Sequence, residues 1–274
     1  MNDVTERRRA YALSGLNLDG LGLEVGPSHS PLVPKGSGIR VETLDHLDKA
    51  ALIEKYKARL DTTLIDDVDH VWSGESYPDL LGEARYDWVI ASHVIEHVPD
   101  FVGFLNDCRD ILKPDGVLSL IVPDKRYCFD HYRPLTGLGQ MIDAHLEKRT
   151  KPTPGSAVEM VMYVSRLNGL PDWTAEDPGV PNLFLPTFIG ADVLQRTMAG
   201  EYYDCHSWCF TPSSFRLILE DLNILGLTTM REAAFRPSVG MEFYVQLSAT
   251  AAPVIDRFAL MQSIRLENTP PAGY

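Results

Sequence analysis

Cysteine is scarce: Cys108, Cys128, Cys205 and Cys209 are the only four in 274 residues. Their spacing makes no disulfide framework. Cys205 and Cys209 flank His206, but no second pair completes a structural zinc site. No apolar run is long enough for a transmembrane helix and no secretory leader pattern is present, so no membrane partner is expected and the cytoplasm is the expected compartment. Positive charge is also short, with 25 Lys and Arg against 38 Asp and Glu and a formal net charge of −13. That balance argues against a nucleic-acid backbone as partner. The basic cluster Arg7-Arg8-Arg9 lies in an expected helix, Asp3 to Leu13, and reads as a solvated face. GxGxxG is absent, which disfavours a dehydrogenase-type dinucleotide site. No internal repeat is found.

What remains is an ordinary globular composition, 45% hydrophobic and 23% charged, in a chain long enough to bury a sizeable core. The chain is organised around Leu21-Gly22-Leu23-Glu24-Val25-Gly26-Pro27-Ser28-His29-Ser30-Pro31. This reads as a short apolar strand running into a tight Gly, Pro and Ser turn, whose free N–H groups suit a polar or anionic ligand group. Further strands are expected at Ile39–His46, Asp69–Glu75, Tyr86–Ala91 and Val117–Val122. Helices are expected at Asp48–Leu60 and Phe101–Leu112, the second ended by Lys113-Pro114-Asp115-Gly116. Strands alternating with helices argue for a parallel sheet covered on both faces. Glu24, Asp45, Ser73, Ser92 and Asp124 all fall at or just after expected strand ends, where such sheets bind ligands.

From Tyr127 to Cys209 the pattern loosens. Prolines 152, 154, 171, 178, 181 and 186 interrupt it, and Trp173, Phe184, Phe188, Tyr202, Tyr203 and Trp208 scatter aromatics through it. The segment reads as a lid-like insertion, about 127–209, within a single domain of 1–274. Thr211 and Pro212 then open a helix ending near Leu225, with Gly226 as cap. Leu227–Ala234 and Glu242–Ala249 make a closing hairpin. The tail after Pro253 is expected to form a helix with a Pro-rich end.

These residues resemble the class I S-adenosylmethionine-dependent methyltransferases. The resemblance rests on Glu24-Val25-Gly26-Pro27-Ser28, on Asp45 after the second strand, on Tyr86-Asp87-Trp88-Val89-Ile90, on Ser92-His93-Val94-Ile95-Glu96-His97-Val98-Pro99-Asp100, and on Leu112-Lys113-Pro114-Asp115-Gly116. Through Pro123-Asp124-Lys125-Arg126 and His206 to Pro212 the chain is similar to members found with sugar and polysaccharide biosynthesis enzymes. The resemblance implies a Rossmann-like α/β fold with a seven-stranded, mostly parallel sheet and the last strand reversed. It implies S-adenosylmethionine as cofactor. Glu24, Gly26, Pro27 and Ser28 would face its methionine part, and Asp45 its ribose hydroxyls. His46 would lie against the adenine, Ser73, Gly74 and Glu75 would border it, and Ser92 and His93 would lie beside the sulfonium.

His93, Glu96 and His97 have i, i+3, i+4 spacing and on a helix share one face. With His206 they suit proton transfer or a divalent ion, and two or three imidazoles favour zinc, manganese or iron over magnesium. The Glu-His-Val-Pro-Asp run is common in relatives without metal, and no metal ligand is assigned. Methyl transfer needs the acceptor held in line and its proton removed. His97 is the first choice of general base, with His206 and Asp124 next and His131 behind them. The expected activity is O-methylation of a small molecule or sugar. The alternative is a non-catalytic binding protein that keeps the methyltransferase fold.

Overall fold

The computed structural model describes residues 3–58, 60–252 and 255–268. Helix α1 (Asp3–Leu13) precedes β1 (Gly22–Val25), β2 (Val41–Asp45), α2 (Lys49–Tyr56), β3 (His70–Val71), α3 (Tyr77–Leu81), β4 (Tyr86–Ser92), α4 (Phe101–Ile111) and β5 (Leu112–Pro123). The middle of the chain carries α5 (Leu138–Leu146), α6 (Pro154–Tyr163), the two-residue strands β6 (Ser165–Arg166) and β7 (Asn182–Leu183), and α7 (Phe188–Met198). It closes with α8 (Pro212–Ile224), β8 (Arg231–Val239), β9 (Glu242–Ser248) and α9 (Arg257–Glu267). The Pro-rich end expected after α9 lies outside the described residues.

Seven strands form one sheet in the order β3-β2-β1-β4-β5-β9-β8. The first five are parallel, and β9 runs antiparallel to both β5 and β8. This is the Rossmann-like α/β architecture with a reversed closing strand. Neighbouring residues of β4 feed opposite faces, as the two-residue period of a strand requires. Val89 and Ala91 pack with Phe101, Leu105 and Phe215 on one face. Trp88 and Ile90 pack with Ala12, Leu16, Leu32 and Val33 on the other. The continuous apolar runs of β4 and β5 follow from burial on both sides.

No helix follows β1. Residues 26–40 cross to β2 as irregular chain, and Leu32 and Val33 do the covering there. Glu24 holds them in place. Its carboxylate, 1% exposed, accepts the backbone N–H of Leu32 at 2.7 Å and of Val33 at 3.0 Å. Burial is the main influence on this carboxyl and outweighs those two hydrogen bonds, pushing its pKa up to about 7. Gly22 is fixed by close approach. It pairs with Trp88, and a Cβ placed on it would stand 2.0 Å from the indole ring.

Two details depart from the sequence reading. Lys113–Gly116 is a bulged stretch of β5 rather than a turn, and the register slips opposite Tyr86 and Trp88. Strand β8 starts at Arg231 instead of Leu227, because Leu227 is spent closing α8. Gly226 takes φ +72° and the Leu227 N–H bonds the Leu222 carbonyl at 3.0 Å, a Schellman closure. At the other end of α8 Thr211 is the N-cap and Pro212 the first helical residue, as the sequence reading had it, and the Ser214 hydroxyl accepts the Thr211 N–H at 2.9 Å.

Residues 127–209 hold more regular structure than their prolines suggested. Pro154 starts α6 behind the capping hydroxyl of Thr153. Ala157 and Val161 of α6 pack on Val193 of α7 and on Cys205 in a separate small core. Among the described residues no helix is long and apolar enough to cross a membrane.

Two stability tests follow. Gly22→Ala forces a methyl into the Trp88 ring and is expected to cost about 2 kcal/mol or more in urea denaturation. The cost should shrink in a Trp88→Leu background, and equal costs in both would refute the clash. For Glu24, a folded pKa raised above the ordinary 4.5 means that its contribution is complete below pH 4.5 and is lost as pH rises through about 7. The loss is about 3 kcal/mol over that window. Glu24→Gln should flatten the slope of stability against pH there. An unchanged slope would show that Glu24 is not its source.

Candidate functional site

The carboxyl edge of the sheet carries two groups of polar side chains. The first lies over the ends of β1, β2 and β4. Gly26 follows β1 with φ +64°, and a Cβ there would meet the Val94 side chain at 2.9 Å. Ser28 also takes positive φ, and its N–H bonds Asp45 Oδ2 at 3.1 Å. Asp45 is buried at the end of β2, and its Oδ1 accepts the His46 N–H at 2.8 Å and meets His46 Nδ1 at 2.6 Å. The His46 ring is 45% exposed and its Nε2 faces the Lys55 ammonium. Ser73 donates its hydroxyl to Glu75 at 2.9 Å in an exposed loop beside Gly74. Pro27 lies between Gly26 and Ser28 in the same turn.

Ser92 ends β4, and its hydroxyl accepts from Arg8 at 2.9 Å. The Arg8 guanidinium also pairs with Glu242 at 2.8 Å. Helix α1 thus delivers a cation to the end of β4. The sequence reading had left Arg8 on a solvated face, and nothing in the composition of that helix marks which of its three arginines turns inward.

These residues fit the cofactor that the resemblance implies. Asp45 Oδ2 keeps a free lone pair, and moving the half-exposed His46 ring would release one on Oδ1, so the carboxylate can accept both hydroxyls of a ribose. Arg8, paired with Glu242, and Lys55, facing His46, are cations at this group. Glu24 is committed to Leu32 and Val33, so it shapes the loop from beneath.

The second group is built on the segment after β4. His93 takes φ +53°, sparsely populated backbone of the kind found at functional sites. The chain then makes a single turn, closed by the His97 N–H on the Val94 carbonyl at 2.9 Å, rather than the helix on which the spacing was first read. The Glu96 carbonyl accepts the N–H of Ser207 at 2.7 Å and of Trp208 at 3.2 Å. Those bonds bring His206 back from the far end of the insertion. The His97 and His206 rings meet edge to face, centroids 4.6 Å apart.

Each imidazole here leans on a carboxylate. His206 Nδ1 bonds Asp130 Oδ2, and Asp130 also holds Arg133 at 2.8 Å. Burial opposes ionisation of Asp130, but His206 and then Arg133 outweigh it and hold the carboxyl down at about 2. His97 Nδ1 lies 2.9 Å from Asp204. Burial works to lower the His97 pKa, yet the Asp204 bond and the nearby Glu96 charge outweigh it and raise it. His93 Nε2 lies 2.8 Å from Glu242. At the centre is Glu96, fully buried, with neither carboxylate oxygen hydrogen-bonded. His93 Nδ1 is 3.5 Å and His206 Nε2 is 3.9 Å from its Oε1.

His97 and His206 are therefore brought together, and the other two base candidates stand apart from them. Asp124 is fully buried, and its carboxylate takes both arms of Arg126 and the Ser238 hydroxyl at 2.6 Å. His131 points Nδ1 at the Arg126 carbonyl, 2.8 Å away, and burial lowers its pKa. A cavity of about 520 Å³ opens on the Asp124 side, lined by Arg7, Arg126, Arg216, Phe235, Ser238 and Glu267 among others. Neither His97 nor His206 lines it. Asp130, Asp204 and Glu242 escaped the sequence reading because only the fold sets them against the histidines.

The family model described as "Methyltransferase domain" matches residues 22–223. Among curated proteins no match is found. Among solved structures, mitomycin 7-O-methyltransferase MmcR is similar at 15% identity and TM-score 0.43, covering 89% of this chain, which spans 52% of that one. The CcbJ methyltransferase of Streptomyces caelestis is similar at 16% identity and TM-score 0.46, with 91% and 97% covered. A structure from Rhodobacter sphaeroides, described as a putative zinc-dependent alcohol dehydrogenase, reaches TM-score 0.50 at 14% identity, covering 90% of each chain, a likeness of fold alone. The family match begins at β1 and runs nearly to the end of α8, and the chain belongs to the methyltransferase domain family, the class I S-adenosylmethionine-dependent methyltransferases.

Proposed function

We propose that the chain transfers the methyl group of S-adenosylmethionine to a hydroxyl oxygen of a small molecule or sugar. The observation that carries this reading is the pair His97 and His206, each with Nδ1 on a carboxylate. A ring that donates through Nδ1 keeps its lone pair on Nε2, the tautomer a general base needs. Bound in the first group, the cofactor supplies an electrophilic methyl on a sulfonium. Asp45 would hold the ribose, Arg8 would meet the methionine carboxylate, and Ser92 and His93 would border the methyl end.

His97 takes the hydroxyl proton, because its side chain is the more exposed of the two, 35% against 7%. His206, buried against Phe129, packs the edge of His97 and fixes its plane. Residues 127–209 form the lid over this edge and bring His206 with them. The acid-rich surface favours a neutral acceptor over a polyanion, and neither nucleic acid nor membrane is a partner in this reading.

Two measurements bear on it. Asp45→Ala should weaken S-adenosylhomocysteine binding by about tenfold to a hundredfold in calorimetry, the loss expected for hydrogen bonds to a charged acceptor. Unchanged affinity would move the cofactor elsewhere. His97→Ala should cut kcat/KM by about a hundredfold or more while leaving S-adenosylhomocysteine affinity within a few-fold. Full turnover in that variant would end its role.

A further inference from the structure

A carboxylate shut away from solvent with no hydrogen bond is among the costliest things a protein can bury. Glu96 is such a group: it is 0% exposed and both oxygens lack a donor. Its neighbours are not indifferent to it. His206 Nε2 and His93 Nδ1 face its Oε1 at 3.9 and 3.5 Å, too far for hydrogen bonds. The ligand-capable atoms of Glu96, His97 and His206 all lie within 4.8 Å of one another. The far nitrogen of each of these two histidines is held by a carboxylate, Asp204 for His97 and Asp130 for His206. Metal-bound histidines are oriented in this way, the second ring nitrogen bonded to a carboxylate that fixes the tautomer and makes the ligand more basic.

We infer that Glu96, His97 and His206 hold one divalent first-row transition-metal ion. Two imidazoles and one carboxylate suit zinc, iron or manganese better than magnesium or calcium, which take oxygen ligands. Donors about 2.1 Å from a shared ion at tetrahedral angles stand about 3.4 Å apart, so binding draws the three inward from a spread of up to 4.8 Å by about an ångström. The ion satisfies the two bare oxygens of Glu96. One carboxylate and two neutral imidazoles leave it a residual positive charge. Asp130 and Glu242 do not cancel that charge, because they are paired with Arg133 and Arg8. His93, with Nε2 on Glu242, faces the same Oε1 of Glu96 at 3.5 Å.

Three protein ligands leave coordination positions open, as at catalytic centres. This deepens the reading above and rests on it for the acceptor. The base chemistry described there belongs to the metal-free chain. With the ion in place, the acceptor hydroxyl binds it and becomes more acidic. Its proton would leave to water, and the oxygen would bond the methyl carbon as the carbon–sulfur bond breaks and its electron pair stays on sulfur, leaving S-adenosylhomocysteine. His97 and His206 then act through the metal.

The test uses the full chain, stripped with a chelator and titrated with Co2+ and Zn2+ in calorimetry, with the visible bands of Co2+ as a second readout. One ion per chain with nitrogen-type Co2+ bands is expected, and Mg2+ should compete poorly. Glu96→Gln and His206→Ala should abolish that binding. Asp130→Asn should weaken it about tenfold to a hundredfold. His145→Ala, whose ring bonds Asp100 and which is no member of the cluster, should leave it intact. Glu96→Gln removes a buried bare charge and is expected to fold, and it should lose the rise in Tm that Zn2+ gives the unaltered chain. Absence of stoichiometric binding, or binding that survives both Glu96→Gln and His206→Ala, overturns the proposal. S-adenosylhomocysteine is titrated into the same samples. Its binding without a metal site overturns only this inference, and a metal site without its binding overturns only the methyltransferase reading.

Discussion

The carbonyl of Glu96 accepts the backbone N–H of both Ser207 and Trp208, and the working edge of the protein depends on that junction. It pins the end of an excursion that leaves the sheet after β5 and returns some eighty residues later. The Trp208 indole, donating to the Val98 carbonyl at 2.6 Å, clamps the same crossing. Because backbone meets backbone, the junction survives changes of side chain. What it sets in space is side chains: His206 beside His97, and Asp130 behind His206. Residues 127–209 thus help to shape this edge, and their small core of Ala157, Val161, Val193 and Cys205 gives the returning chain something firm to hang from.

The second constraint is electrostatic. A chain with net charge −13 spreads most of its acids over its surface, yet several stand buried along one edge of the sheet. Glu24 holds two amides, Asp45 two more, Asp124 an arginine, Asp130 an arginine and a histidine, and Glu242 an arginine, a histidine and Tyr244. Each is there because a donor meets it, as burial demands. Glu96 alone among them meets none, and the surrounding order makes that exception informative.

Much of the frame was legible in the sequence. Two-sided burial wrote itself into the apolar runs of β4 and β5, and acids placed at strand ends pointed to the carboxyl edge. The helices with strong end signals, α4 and α8, were found to within a residue or two. The rest was hidden for identifiable reasons. Prolines 152 to 186 were read as breakers, although Pro154 stands at the first position of α6, where it is welcome. Leu227 looked like strand because its apolar side chain says nothing of a backbone committed to closing α8. Of the site, His97, His206 and Asp45 were visible as residue types in a known order. Arg8, Asp130, Asp204 and Glu242 were not, since their roles exist only across separations that no local pattern records.

Gly22 and Trp88 are neighbours across two adjacent strands, the glycine leaving a space that the indole fills. Such a pair has a history written into the order of its changes. A lineage in which position 88 carries a smaller ring or an aliphatic chain can accept a methyl at position 22. Once the indole is in place, the glycine is locked, and reversal must begin at 88. Position 22 should therefore vary among relatives only where 88 has already shrunk, although it opens β1 at the end away from the carboxyl edge.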